Sequence, residues 1–227
     1  MPPADSGLRR AALFAHLDDA ELTELQRRMT RRSFRRGEVM FYQNDPSGRL
    51  YLIERGWVKI TRQTDAGDEL LIDVFGPGSI IGEISIFTNE PRTGTVTAVE
   101  PTTTLSLSRE SFYALVQSHP RIALRCLEML ARRIRASDEL VQDMTFLDVP
   151  ARLAKRLLEL SDQVGVDGDG GRLIDLRLTQ EELATMVGTT RESINKTLAL
   201  FRRQGVIQSK NGRILIRDRH RLARRVY

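Results

Sequence analysis

An α+β chain, with an antiparallel β-roll first, one long helix next and a small mixed domain last, is predicted by three observations. Residues 33–108 alternate in short runs between turn residues. Nothing between Pro120 and Leu147 is Gly or Pro, and the residues after Pro150 return to short helical periods closed by a hairpin pattern. At 227 residues the chain has room for one large domain or two small ones, at ~100–200 residues each. The divisions expected are 1–119 for the roll, 120–149 for the long helix and hinge, and 150–227 for the C-terminal domain.

Each element has its own warrant. Asp18–Met29 sets Leu22, Leu25 and Met29 at helical spacing behind aspartates suited to an N-terminal cap, so a short amphipathic helix opens the fold. Turn residues then punctuate the chain at Gly37, Asp45–Gly48, Gly56, Asp65–Asp68, Gly76–Gly78 and Asn89–Pro91. The strands between them include Leu50–Glu54, Trp57–Arg62, Glu69–Phe75 and Gly94–Val99, which is the texture of an antiparallel roll or barrel.

After Arg109 the period becomes helical, and at ~1.5 Å per residue the stretch from Pro120 to Leu147 reaches roughly 40 Å. Leu127, Ile134 and Val141, with Leu130, Ser137 and Met144, recur along it at the a and d spacing of a two-stranded coiled coil. A monomeric core helix with a tolerated serine would carry a wider apolar stripe than this seam, which Arg132, Arg133, Arg135, Asp138 and Glu139 flank. A parallel homodimer is the expectation. Pro150 disfavours a helical residue before it, so Leu147–Pro150 should break the helix. Beyond it, Ala151–Val164 reads as a helix with Leu153, Leu157, Leu158 and Leu160 inward, Gly165–Gly171 as a loop and Arg172–Leu178 as a strand.

Composition narrows the function classes. Apolar runs fall well below the ~18 consecutive residues of a membrane span, and Met1–Arg10 contains prolines rather than a basic-then-apolar signal, so a soluble cytoplasmic protein is expected. One cysteine, Cys126, and three scattered histidines, His16, His119 and His220, offer no cysteine-rich metal set. Charge is divided unevenly: residues 150–227 hold 16 Lys and Arg against 9 Asp and Glu, and residues 1–149 hold 19 against 21. Within 188–225 the count is 11 basic against 2 acidic, Glu192 and Asp218, as expected of a surface that neutralises phosphates, although a solvated basic face would give the same count.

The C-terminal pattern sharpens that reading. Thr179 with Glu182 three residues on forms a capping box; Leu183 and Val187 share a face, Ala184 permits close contact, and Gly188 supplies a turn. A second helix starts near Thr190 with Ile194 and Leu198 facing back, which together read as a helix-turn-helix. Its outer side presents Arg191, Glu192, Asn195 and Lys196, near the helix start where base edges are read. Arginine and lysine can reach guanine, and glutamate can accept from cytosine N4, although an Arg-Glu pair can also serve only as a cap and ion pair. Val206–Ser209 and Arg213–Arg217 then alternate around Lys210-Asn211-Gly212, a basic hairpin that completes a winged module with Lys210 and Arg213 toward phosphates.

The segment Phe75–Ala98, with Gly82-Glu83-Ile84 and Pro91-Arg92-Thr93, resembles the phosphate-binding cassette of cyclic-nucleotide receptors. From about Leu13 to Asp218, including Phe146–Val149 and Thr189-Thr190-Arg191-Glu192-Ser193, the chain is similar to bacterial transcription regulators of the cyclic-AMP receptor and fumarate–nitrate regulator family, most like the actinobacterial cyclic-AMP receptor branch. A cyclic phosphodiester has two exposed oxygens that one guanidinium fork, one hydroxyl and backbone amides can satisfy, which suits Arg92 and Thr93. Glu83 can accept a ribose hydroxyl, and Gly82 lets the backbone approach the sugar; a turn with a surface Glu83–Arg92 ion pair is the bland alternative.

By the resemblance, Ile84 belongs to the same cassette, and Arg133, Ser137 and Asp138 of the long helix close over the base. Asp138 departs from the small hydroxyl or amide residue expected there. A carboxylate accepts from the adenine amine, yet it pairs more completely with guanine N1–H and its amino group. Cyclic AMP is the first expectation for an allosteric ligand and cyclic GMP the second, with no cofactor. The resemblance carries Thr179, Gln180, Thr190, Ser193 and Asn195 over as DNA contacts, and brings in RNA polymerase as a partner for the loops Asp65–Asp68 and Gly165–Gly171. One cysteine argues against the iron–sulfur branch, and the histidines are poorly placed for haem. No enzyme is expected, since no histidine lies between His16 and His119 to serve a nucleophile or metal near the cassette.

Overall fold

The computed structural model describes residues 7–67, 69–210 and 212–226. Asp68 of the Asp65–Asp68 turn and Asn211 of the Asn-Gly turn therefore lie outside the described residues. The chain divides into two compact units, residues 1–68 with 73–135 and residues 69–72 with 136–227.

The first unit opens with α1 (Gly7–Arg10) and α2 (Asp19–Arg28). Asp18 accepts from the Glu21 amide while the Glu21 carboxylate accepts from the Asp18 amide, so both ends of a capping box are made. Strands β1 (Thr30–Phe34), β2 (Val39–Phe41), β3 (Arg49–Arg55), β4 (Val58–Gln63), β5 (Glu69–Phe75, whose residues 69–72 group with the second unit) and β6 (Ile80–Ile81) follow. Helix α3 (Glu83–Thr88) interrupts them before β7 (Thr95–Ala98) and β8 (Thr102–Ser108). Two antiparallel sheets result, β1-β8-β3-β6 and β2-β7-β4-β5, the expected roll.

The roll has apolar material on both sides of its main sheet. Tyr51 and Ile53 of β3 join Phe34, Val58, Ile81 and Val96 in the interior, while Leu50 and Leu52 face the other way, toward Phe14, Leu22, Leu25, Phe112 and Ile122. That two-sided burial is why β3 reads as an apolar run rather than an alternation. Sequence texture did not single out β1, β2, β6 or β8. β8 is central, yet its inward Thr102, Thr104 and Ser106 look polar; they are buried, and Ser106 donates to the Thr30 carbonyl at 3.2 Å. β1 lies at a sheet edge, where four exposed residues, two of them arginines, discourage further pairing.

Helix α4 (Arg109–Ser118), capped by Ser108, leads into α5 (Arg121–Phe146), the predicted long helix, which runs from the first unit into the second. Ile122 and Cys126 are buried at its start. Past them, Leu127, Ile134 and Val141 are 62%, 63% and 64% exposed, and Met144 is also exposed.

In the second unit α6 (Val149–Val164) begins two residues earlier than expected: Asp148 caps it, and Pro150 sits in its first turn, where an amide is not needed. The break is therefore at Leu147–Asp148, and Leu158 is only half-buried where Ala154 is fully buried. Gly165–Gly171 is a hairpin rather than a loop. Its strands are β9 (Gly165–Gly168) and β10 (Gly171–Ile174), so the predicted strand stops at Ile174 instead of Leu178. Glycines carry no side chain to show alternation, and the pairing is made through the backbone. Helices α7 (Gln180–Val187) and α8 (Arg191–Arg203) precede β11 (Ile207–Lys210), β12 (Arg213–Ile216) and α9 (Arg219–Ala223), giving the four-stranded order β11-β12-β10-β9.

Candidate functional site

The cassette is built on a left-handed glycine. Gly82, at φ 77°, follows β6 and caps α3, and a Cβ there would collide with Arg92 Nη1. Only glycine lets that guanidinium come so close. Arg92 is 4% exposed and donates to the Gly82 carbonyl at 3.0 Å and the Arg49 carbonyl at 2.6 Å. Its cation lies 4.2 Å from the Phe41 ring centre and 5.8 Å from that of Tyr51. Among the described residues no carboxylate lies within ion-pair distance of it, and its Nε is buried without a hydrogen-bond partner. Burial holds this guanidinium below its ordinary pKa, with Tyr51, Asp45 and Glu83 opposing.

Glu83 begins α3 at 2% exposure, and its partner is Arg133 of α5. The surface Glu83–Arg92 pair weighed above is thus absent: both groups are inside, and neither pairs with the other. Arg133 also donates to the Ile80 carbonyl at 2.7 Å and lies 5.1 Å from the Phe75 ring centre. Burial pushes the Glu83 carboxyl up, while Arg133, its own backbone amide and Arg92 pull it down. Ile84 and Thr93 are exposed beside these groups, and Ser137 and Asp138 are exposed on α5. Phe41, Tyr51 and Arg49 lie outside the cassette segment, and Phe75, its first residue, has no role assigned from the sequence. β3 carries no alternation to mark Tyr51, since Leu50, Tyr51, Leu52 and Ile53 are all buried, so only the folded roll shows which face Tyr51 takes.

The helix-turn-helix forms as read. Thr179 accepts from the Glu182 amide at 3.1 Å, and Glu182 accepts from the Thr179 amide at 2.7 Å. Gly188, at φ 68°, makes the turn, and Thr190 caps α8 through the Ser193 amide. Ile194, Leu198 and Phe201 are buried; Arg191, Glu192 and Lys196 are exposed, and Asn195 is half-buried.

Several proposed DNA contacts hold other partners in the unbound chain. The Thr179 hydroxyl is used by the capping box and that of Thr190 by Ser193, and Gln180 is half-buried. Lys196 Nζ lies 2.7 Å from Glu192 Oε1, one turn apart, so the ion pair is with Lys196 rather than with Arg191. Arg213 was placed toward phosphates, but its Nε lies 2.7 Å from Asp175 Oδ1 and its side chain is only 32% exposed. Lys210, its cross-strand partner, is exposed.

Comparison with known proteins bears on both halves. The cyclic nucleotide-binding domain family matches residues 31–119, and the Crp-like helix-turn-helix domain family matches residues 151–225. The chain is 37% identical over 221 residues, 97% of its length and 99% of the relative's, to a CRP-like cAMP-activated global transcriptional regulator of Mycobacterium tuberculosis. It is 33% identical over 200 residues, 88% of each protein, to the cyclic AMP receptor protein of Thermus thermophilus. Among solved structures it is similar, with a TM-score of 0.76 and 25% identity over 88% of this chain and 99% of the other, to CLP of Xanthomonas campestris, a c-di-GMP responsive global regulator. A buried cassette arginine in a β-roll, a helix-turn-helix with its hairpin, and near full-length likeness to these regulators agree: the chain belongs to the cyclic-AMP receptor and fumarate–nitrate regulator family of DNA-binding transcription regulators.

Proposed function

We propose that the protein is a homodimeric regulator that binds a cyclic nucleotide, cyclic AMP first, and in response binds palindromic DNA. The observation that carries this is Arg92, a buried guanidinium with an unpartnered Nε and no carboxylate at hydrogen-bonding distance among the described residues. A buried cation with no carboxylate in direct contact is costly, and a phosphodiester anion offsets that cost. In this reading Arg92 and Thr93 hold the phosphate, and Gly82, Glu83 and Ile84 hold the sugar side. Arg133, Ser137 and Asp138 of the long helix set the base preference. Glu83 must then exchange its bond to Arg133 for, or share it with, the ribose hydroxyl.

The dimer rests on the exposed a positions Leu127, Ile134 and Val141, a stripe that a second copy of α5 would cover. The dimer sets two recognition helices ~34 Å apart, one DNA turn. Arg191, Glu192, Asn195 and Lys196 read bases; Lys210 reaches phosphates, and Arg213 joins it only by leaving Asp175. Thr179, Gln180, Thr190 and Ser193 set the helix starts against the backbone. Domain limits of 1–119, 120–149 and 150–227 follow the roles, and RNA polymerase is the partner of the finished complex.

Asp138, a carboxylate suited to guanine, favours cyclic GMP as the second reading. Calorimetry of the purified protein with cyclic AMP, cyclic GMP and c-di-GMP decides. Heat from cyclic AMP that vanishes in Arg92→Ala supports the first reading, and heat from cyclic GMP in its place supports the second. Heat from none of them means that DNA binding is ligand-independent.

A further inference from the structure

Arg152, in the first turn of α6, bonds the C-terminal carbonyls of two other helices at once. Its Nη1 donates to the Leu147 carbonyl at 2.7 Å, just past the end of α5. Its Nε donates to the Val187 carbonyl at 2.9 Å and its Nη2 to the Gly188 carbonyl at 3.2 Å, both at the end of α7 where the chain turns into α8. Last-turn carbonyls have no partner within their own helix and carry the negative end of its dipole, so one planar cation with several donors can cap both ends together. Two further ties surround it. Lys155, three residues on and on the same side of α6, lies with Nζ 2.6 Å from Asp143 Oδ2 of α5, and Met144 of α5 packs against Gly188, 2.8 Å from where a Cβ would stand.

We propose that Arg152 is a positioning residue. It fixes the entry to the recognition helix against the end of the long helix, with Lys155–Asp143 as a second tie, so that the last turn of α5 and the reading head move as one piece. The break at Leu147–Asp148 is then a clamped corner and not a free hinge. A lysine carries its donors on one compact ammonium and lacks the planar fork that here reaches carbonyls at two separate helix ends.

The test uses the full chain in a Cys126→Ala background with spin labels at Gln142→Cys on α5 and Arg203→Cys at the end of α8, both exposed, diluted with unlabelled protein so that only distances within one chain are read. With Arg152 present the expected result is one narrow distance distribution, and Arg152→Met should broaden it. Specific DNA affinity should then fall about tenfold while affinity for random duplex stays within about twofold, because the reading head is intact but its setting is not. Should Arg152→Met fail to fold, Lys155→Met probes the same clamp and should broaden the distribution to a smaller extent. A distribution as narrow in the variant as in the parent, or equal losses on specific and random DNA, overturns the proposal. The distance measurement needs no nucleotide, so its outcome is separate from the ligand reading above.

Discussion

Arg133 of the long helix holds the Glu83 carboxylate at the head of the cassette helix, joining the element that carries the apolar seam to the element proposed to meet the sugar. The Glu83 side chain is 3% exposed, whereas Arg133 keeps 31% of its side chain in solvent. The pair therefore has one member inside the roll and one reached by solvent, the latter also held by the Ile80 carbonyl and the Phe75 ring.

Glu83 gives a pH signature. Burial raises its carboxyl above the ordinary 4.5 despite the opposing pull of Arg133. As pH rises past 4.5 the unfolded state ionises first, so the folded state loses relative stability until the raised pKa is passed. Glu83→Gln lacks this loss. In thermal melts of the ligand-free protein, the variant's Tm minus the wild-type Tm should grow with pH above 4.5 and then level off; a flat or falling difference would contradict the assignment.

Ile134 tests the seam. At 63% exposure it contributes little within one chain, but burying it against a second copy would add ~1.5–3 kcal/mol per protomer. Ile134→Glu should lower the melting temperature, because the stabilisation from association is lost, and shift the light-scattering mass toward that of a monomer at micromolar concentration. An unchanged dimer would place the interface elsewhere.

Arg191 and Lys210 should differ in kind. Arg191→Ala is expected to lose roughly 1–3 kcal/mol of discrimination at one guanine. Lys210→Ala should weaken every sequence alike and reduce the slope of log K against log salt by ~0.9 for its one phosphate contact. Equal effects of Arg191→Ala on specific and random duplexes, measured by fluorescence anisotropy, would remove its base-reading role.

Cys126 is buried, and burial, followed by the nearby Glu83 charge, pushes its thiol up to about 11. Against the ordinary 9.0 its thiolate fraction at neutral pH is about a hundredfold lower. Native protein should react with a disulfide reagent far more slowly than protein in urea, and equal rates would show that the start of α5 is open.

Much of this organisation is legible in local spacing, because local rules decide it. The Asp18 and Thr179 capping boxes, the Gly188 turn and the uninterrupted α5 all follow from residues within a few positions of one another. What spacing misses depends on distant partners. β8 hides because its inward residues are threonine and serine; the hydroxyls of Thr102 and Ser106 donate to the Trp57 and Thr30 carbonyls, partners that only the folded sheet supplies. The β9–β10 hairpin hides among glycines. The Arg213–Asp175 pair and the Arg152 clamp join residues that no local period relates. In the cassette, Gly82, Glu83 and Arg92 were found through the family resemblance, whereas the Phe41 and Tyr51 rings that flank Arg92 required the folded roll.

The central claim is that an anion on Arg92 changes what the recognition helices bind. The most direct measurement is the affinity of wild-type protein and Arg92→Ala for a palindromic duplex selected from random sequence, with and without cyclic AMP. The expected result is that cyclic AMP tightens wild-type binding by roughly 5–150-fold and leaves the variant, still a dimer, unaffected. Wild-type affinity that is the same with cyclic AMP, with cyclic GMP and with neither would contradict it.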